Sequence, residues 1–425
     1  MDRDQDRDQE RNRDADKDRS LDLDRNRDAD KDRSLDLDRD RDADKDRNPD
    51  LDRNRDREPP PPCPGPERPR SRPGPTRWGI CSAGAISHDF VLALQTLPAE
   101  EHTVAAVAAR DLGRARGFAQ RFGVPRAYGS YEELAQDPGV DVVYVGVVNP
   151  SHLPAGLLFL RRGRAVLMEK PMALSARQVA QLAGTARDKG VFLMEGFWTR
   201  FFPAWRRLLS LARGGCLGSP LVLRGELGFD LRGVPRLRDP GLGGGALLDL
   251  GGYGVQMALA MLGGAEGQPP PQIRAHGVLH PTGVDESVSL SLSFPGRGLA
   301  SLVFSMAAEL PGGAALGGPR GWAELPTHMN CPTELLWGGR RERFPLPPTA
   351  EPPNFPHSAG LRYEAQHVRE CLLQGLTQSP EMPLAESEAI ARLLDQARQQ
   401  LGEKAAAAAP SDQRVTTGVT RDPLE

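Results

Sequence analysis

The chain has 425 residues, 39% of them hydrophobic and 26% charged, with a formal net charge of −3. That length allows two or three domains of roughly 100–200 residues with buried cores, and the near-balanced charge offers no basic footprint for nucleic acid. Cys63, Cys81, Cys216, Cys331 and Cys371 are odd in number and lack CxxC spacing, so neither a disulfide framework nor a metal site is indicated and a reduced, cytoplasmic setting is expected. No run approaches the ~18 apolar residues of a membrane span, so no membrane partner is expected.

In chain order, the first 58 residues are dominated by Asp, Arg, Lys and Asn. "RNRDADKDRSLDLD" at 11–24 recurs at 25–38 and, degenerately, at 39–52, a tandem repeat of period 14. Isolated leucines cannot repay an ordering entropy of roughly 1–2 kcal/mol per residue, so residues 1–76, ending in the Pro-rich 59–76, are expected to be a disordered repeat and linker.

From Arg77 short apolar runs alternate with helical patterns: "RWGICS" then 86–96, "TVAAVAA" then 112–122, "VDVVYVGVV" then 151–162, "AVLM" then 175–189, and "VFLMEG". Continuous apolar strands are buried on both faces, as in a parallel sheet, so 77–199 is expected to be an α/β domain with a doubly wound parallel sheet. Beyond residue 200 the pattern changes. "SVSLSLSF" at 287–294 alternates serines with Val288, Leu290, Leu292 and Phe294, the period-2 signature of a half-buried strand. With β-rich runs at 220–229, 272–280, 299–306 and 333–338, and amphipathic stretches at 361–375 and 385–402, it predicts a second, α+β domain over 200–403 with an open, mostly antiparallel sheet. Residues 404–425 are expected to be a disordered tail.

Several motifs could carry chemistry. "GICSAGAIS" ends the first strand where a dinucleotide fingerprint would fall, with Ser82, Gly84 and Ser87 at its three small-residue places and Ile86 in the following turn; the helix amides there would receive the pyrophosphate. The second strand ends "AARDLGRAR", and Arg110 with Arg114 favours a 2′-phosphate over a bare ribose, hence NADP over NAD; the alternative is a solvated helix start capped by Asp111. Asn149 and His152 of "NPSH" fall at the carboxyl edge of a later parallel strand, where open α/β sheets bind ligands. Glu169 and Lys170 of "MEKP" fall on the same edge one strand on, where adjacent residues point to opposite faces, so one charge faces the cleft and the other is held elsewhere. Pro171 would turn the chain there, through a cis bond that costs little before proline. In "GGGALLDLGGYGVQ", Asp249 and Tyr253 are four apart and would share a helix face, although the glycines around them are poor helix material. A phenol becomes a base near neutral pH only beside a cation, which would pair Tyr253 with Lys170; a core-packed Tyr253 is the alternative.

In this order and spacing, "GSYEELAQDPGVDVVYVG", "NPSH", "VLMEKPMAL", "EGFWTRFFP" and "GGGALLDLGGYGVQ" resemble the Gfo/Idh/MocA oxidoreductase family across roughly 77–403. The resemblance implies a Rossmann domain followed by an open-faced sheet, NADP at the domain boundary, a small-molecule diol or sugar substrate, and a homodimer formed through the sheets. It further implies that Lys170 and Tyr253 are the acid/base pair with Asp249 beside them, that Arg110 and Arg114 lie at the adenosine phosphate, and that Trp198 contacts substrate; Glu169 is counted with the cofactor site as an orienting or structural carboxylate. Leu227 and "THMN" at 327–330 stand where the resemblance leads one to expect substrate-facing aromatics. A dehydrogenase of another sugar or polyol, or a non-catalytic NADP-binding regulator, are the competing readings; retention of both Lys170 and Tyr253 favours an enzyme.

Overall fold

The computed structural model describes residues 74–264 and 268–402; the charged repeat, most of the Pro-rich segment and the 404–425 tail lie outside the described residues. The first half alternates strand and helix: β1 (Thr76–Cys81), α1 (Ala85–Leu94), β2 (His102–Ala108), α2 (Leu112–Phe122), β3 (Ala127–Tyr128), α3 (Tyr131–Gln136), β4 (Val142–Val145), α4 (His152–Arg161), β5 (Ala165–Glu169), α5 (Ala176–Lys189) and β6 (Leu193–Gly196). Each ladder in this sheet is parallel, in the order β3-β2-β1-β4-β5-β6. The winding reverses between β1 and β4, which opens a crevice beyond their carboxyl ends, where doubly wound sheets bind ligands. The β4 and β5 strands are buried at every position, as their unbroken apolar runs require.

Several helix limits are set by local chemistry. Ser130 caps α3 in a reciprocal capping box with Glu133, Ser175 caps α5, and Gly123 and Gly190 end α2 and α5 in left-handed conformation, where the missing Cβ removes the steric penalty.

The second half runs α6 (Pro203–Arg213), β7 (Leu221–Gly228), a π-helical turn (Leu247–Gly251) leading into α7 (Gly252–Leu262), β8 (Gln272–Leu279), β9 (Asp285–Phe294), β10 (Gly298–Ser305), β11 (Ala314–Gly318), β12 (Gly321–Leu325), β13 (Glu334–Trp337), β14 (Arg340–Arg343), α8 (Leu361–Leu373) and α9 (Leu384–Gln400). Its eight strands follow the order β14-β13-β12-β11-β7-β10-β9-β8. Every neighbouring pair is antiparallel except β7 with β10. As the alternation predicts, Val288, Leu290, Leu292 and Phe294 are buried, under a layer that includes α6, α7 and α9. The β11–β12 hairpin, β14 and the short β3 had no counterpart in the apolar pattern, because their strands are brief and rich in Ala, Gly and Arg.

The stretch Pro240–Leu262 is as long and apolar as a membrane span, against the expectation that no run approaches that length, but 83% of its most apolar 18-residue window is buried inside the protein. Its glycines are packing sites: a Cβ on Gly254 would meet Phe304 at 2.5 Å, and one on Gly252 would meet Phe197 at 2.8 Å.

Candidate active site

At the end of β1 the chain enters the β1–α1 turn through Ser82, whose φ of 88° is left-handed and unusual for a residue with a side chain. Gly84 is the N-cap of α1, with no side-chain cap and no acidic residue in the first turn, so the first amides of the helix, that of Ile86 among them, have no carboxylate competing for them. A Cβ on Gly84 would meet only Ser82 Oγ, at 3.5 Å, so backbone can be approached closely from outside. Ser87 fills the third fingerprint place: it is fully buried, and a Cβ on Gly146 at the end of β4 would come within 2.8 Å of its Oγ. A Gly-poor sequence thus still forms a tight turn, an uncapped helix start and a close helix–sheet contact, and these fit a dinucleotide pyrophosphate. Asp111 caps α2, accepting from the Arg114 amide at 2.7 Å, while Arg110 and Arg114 both lie exposed on the rim beside it; capping and basic rim coexist.

The charge pair at the end of β5 separates as its alternation predicts. Glu169 turns inward, its Oε1 accepting from Tyr144 at 2.6 Å and its Oε2 from the Lys170 amide at 3.1 Å. Lys170 turns the other way and donates from Nζ to the Asp249 carbonyl at 2.9 Å. The Lys170–Pro171 bond is cis. Nζ also lies 3.8 Å from Asp249 Oδ1 and 5.1 Å from the centre of the Tyr253 ring. Asp249 stands on the π-helical turn and Tyr253 just inside α7; such a turn is an uncommon device found often at functional sites. Tyr253 accepts from Trp198 Nε1 at 3.2 Å and meets Phe197 edge-on with centroids 5.8 Å apart.

Burial pushes the Asp249 carboxyl up, but Lys170 and Arg236 outweigh it and hold the group below its ordinary value. The expectation that Lys170 lowers the Tyr253 phenol is corrected: burial, and then the Glu169 charge, push it well above its ordinary value, against a smaller opposing effect of the Trp198 hydrogen bond. The lysine lies over the ring, 5.1 Å from its centre, and with the phenol raised in this way Tyr253 holds its proton.

Two residues expected among the cofactor contacts are turned inward. His152 is 1% exposed, with Nδ1 2.7 Å from the Pro171 carbonyl and Nε2 2.9 Å from the Val147 carbonyl. It ties the end of β4 to the turn after Lys170. Glu169 is likewise committed to Tyr144 and to the chain. Asn149, by contrast, stays at the cleft edge and donates to the Gly243 carbonyl at 3.3 Å, fastening the glycine-rich 240–243 turn to the nucleotide-binding half.

Motif reading missed Arg236, whose Nη1 and Nη2 each lie 3.3 Å from Asp249 Oδ1. The contact spans thirteen residues across irregular turns, so no periodicity would reveal it. Two buried acids, Glu195 and Glu364, were also missed; the signal available was a lone charge in the apolar run "VFLMEG". Leu227 is fully buried on β7, and in "THMN" Met329 is buried against Gly225 while Thr199 donates to the Asn330 carbonyl. His328 has a φ of 50°, and its ring centre lies 4.7 Å from that of His357.

A doubly wound sheet with an uncapped βα turn, joined to a sheet domain that supplies an Asp and a Tyr to a lysine at the cleft, defines the class of nicotinamide-dinucleotide oxidoreductases. Residues 76–197 match the model of the GFO/IDH/MocA oxidoreductase family, NAD-binding Rossmann fold, and residues 205–324 match the GFO/IDH/MocA C-terminal domain; the chain belongs to this family. It is 48% identical over 327 residues to a Xenopus tropicalis protein named trans-1,2-dihydrobenzene-1,2-diol dehydrogenase, covering 77% of this chain and 98% of the relative. Identity is 50% over 326 residues to the Danio rerio protein of that name and 47% over 326 residues to the human one, each match covering 77% of this chain and 97% of the relative. Among solved structures, a 3-ketoreductase from Actinomadura kijaniata in complex with NADP and TDP-benzene matches at TM-score 0.64 and 25% identity, covering 77% of this chain and 98% of that one. An aldose-aldose oxidoreductase from Caulobacter crescentus shares the fold at TM-score 0.65 and 22% identity, covering 77% and 97%.

Proposed function

We propose that this protein is an NADP-dependent dehydrogenase that oxidises trans-dihydrodiols of aromatic hydrocarbons to catechols and D-xylose to its lactone. The observation that carries the reading is the convergence of Lys170, Asp249 and Tyr253, from two halves of the chain, on one point at the carboxyl edge of the parallel sheet. The near half identity to relatives named for the dihydrodiol reaction supports the substrate class.

Bound nicotinamide would supply the hydride acceptor. The β1–α1 turn, with Ser82, Gly84 and Ile86, would hold the pyrophosphate, and Arg110 with Arg114 the adenosine 2′-phosphate. Asn149 would position the nicotinamide end. Lys170, fixed between the Asp249 carbonyl and the Tyr253 ring, would donate to the reacting oxygen of the substrate. Tyr253 would take the hydroxyl proton in oxidation and return it in reduction. Its raised pKa means that the phenol holds its proton ready for a carbonyl oxygen, and a cation brought near it would lower that pKa toward the working pH and ease transfer in either direction. Trp198 orients the phenol and would wall the substrate site. Leu227 and the 327–330 loop, lacking the expected aromatics, favour a second reading in which another sugar or polyol is preferred.

The exposed face of the eight-stranded sheet carries Val222, Val278, Leu299, Val303 and Trp322, and we read it as the surface of a homodimer. The setting we propose is cytoplasmic. The test is to follow reduced nicotinamide absorbance with the purified protein, NADP or NAD, benzene trans-dihydrodiol and a panel of aldoses. Turnover with NADP on the diol or D-xylose is expected. NADP binding without turnover on any of them would return the protein to the non-catalytic reading.

A further inference from the structure

Beneath the lysine, on the side away from the cleft, lies a second set of ionisable groups that the chemistry above does not use. Glu364 on α8 is fully buried, and neither carboxylate oxygen has a hydrogen-bond partner. It points at the end of the parallel sheet: a Cβ on Gly196 would lie 3.6 Å from Glu364 Oε2 and 3.7 Å from the Glu169 Cα. Gly196 is the register partner of Glu169 across β5 and β6, so the bare glycine leaves the gap between the two acids open. Tyr144 on β4, Glu169 at the end of β5, Glu195 on β6, Arg200 in the 198–201 turn and Asp89 on α1 form the group of polar side chains whose charges bear on one another here, and Lys170 bears on Glu169 from the cleft side. Tyr144 and the Lys170 amide already donate to Glu169, Met172 N donates to Glu195, Arg200 is engaged by Gln256, and Asp89 is saturated by Asn354, Phe355 and Ser358. Among the described residues none donates to either oxygen of Glu364.

An ionised carboxylate with no donor inside a protein is costly enough that the group takes up a proton instead. We propose that Glu364 is a positioning residue for the Lys170–Tyr253 pair: a buried neutral carboxylic acid that acts through Glu169, so that the two acids together present a single negative charge beneath the lysine. Burial and the proximity of Glu169 both push Glu364 well above the ordinary carboxyl value, as the geometry requires. The consequence reaches the cleft because Glu169 is the group whose charge bears on both Lys170 and Tyr253. A second charge there would hold the Tyr253 proton more firmly and slow oxidation.

The rate consequence rests on the dehydrogenase reading above; the protonation state of Glu364 does not, and the two are measured separately. Infrared spectroscopy of the full-length protein at neutral pH should show the carbonyl stretch of a protonated, buried carboxyl that disappears in Glu364→Gln. Glu195→Gln serves as the control that separates the other buried acid. In the oxidation assay Glu364→Gln, which cannot ionise, should keep kcat within about twofold at neutral pH and move the decline at high pH upward by about one unit or more. A carboxyl band unchanged by Glu364→Gln overturns the proposal, and so does failure of this neutral isostere to fold. A pH profile of Glu364→Gln that superimposes on the unaltered protein also overturns it. If the unaltered protein turns over no diol or sugar, the dehydrogenase reading fails, and the infrared band still decides the state of Glu364.

Discussion

In the parallel sheet β4, β5 and β6 are buried at every position, whereas in the larger sheet β9 and β10 alternate buried and exposed residues along most of their length. A strand covered on both faces can offer functional groups only at its ends, and there Lys170 and the Ser82 turn are found. A strand covered on one face can offer its whole open side, and there Val222, Val303 and the 56%-exposed Trp322 stand among serines. One sheet places chemistry at an edge and the other places an apolar surface on a face. The same difference explains why the two halves meet at the cleft through the glycine-rich 240–253 segment, which carries Asp249 and Tyr253 from the second half to the edge of the first.

This contrast can be broken from either side. The largest effect is expected at the edge: Lys170→Met and Tyr253→Phe should each lower kcat by about 10²–10⁴-fold, with NADPH binding by fluorescence titration little changed. Normal turnover in either variant would remove the pair from the chemistry. On the covered face of the larger sheet, Phe304→Ala should cost about 3–5 kcal/mol in denaturant unfolding, since Phe304 is fully buried and packs against Gly254. A loss below about 1 kcal/mol would mean that this face is not the core of the second half.

A smaller effect is expected from the acid in β6. Burial raises Glu195 from the ordinary 4.5 to about 7, so the folded protein holds a proton that the unfolded chain has released between those values. The resulting stability is fully present below pH 4.5 and is lost as pH rises to about 7, amounting to at most about 3 kcal/mol. Glu195→Gln should flatten the dependence of unfolding free energy on pH across this window, and an equally steep curve in the variant would assign the slope to other groups. Replacing Arg110 and Arg114 together by Ala should raise KM for NADP about tenfold while leaving that for NAD nearly unchanged; equal effects on both would place these arginines away from the 2′-phosphate. The smallest change in stability, within about 0.5 kcal/mol for the monomer, is expected for Trp322→Lys on the open face. It should nevertheless lower the mass seen in sedimentation from dimer to monomer, and a mass unaffected by the substitution would deny that face a role in assembly.

Much of the fold was legible because each half follows one periodicity. Continuous apolar runs marked β1, β2, β4, β5 and β6, and the serine alternation marked β9. The β11–β12 hairpin was not legible, since Ala- and Gly-rich strands bury too little to leave a pattern. At the site, Lys170 and Glu169 could be separated by strand alternation alone, and both do turn opposite ways. Their destinations could not be read: Glu169 is satisfied by Tyr144 on a neighbouring strand, and Lys170 by a backbone carbonyl seventy-nine residues further on. His152 looked like a ligand contact because it sits at the right strand end, but two carbonyls brought together by the turn after β5 claim its ring.

What the sequence determined by itself was the local: which runs are strands, where a helical pattern such as 175–189 begins, and that a charge pair at a strand end must split. Only the tertiary structure decided the electrostatics. The field at a buried group is summed over neighbours from distant strands and helices and magnified by the exclusion of water. Hence the position of Tyr253 could be read from a motif, while its retained proton depends on burial and on Glu169, a residue whose charge reaches it only after the two halves have folded together.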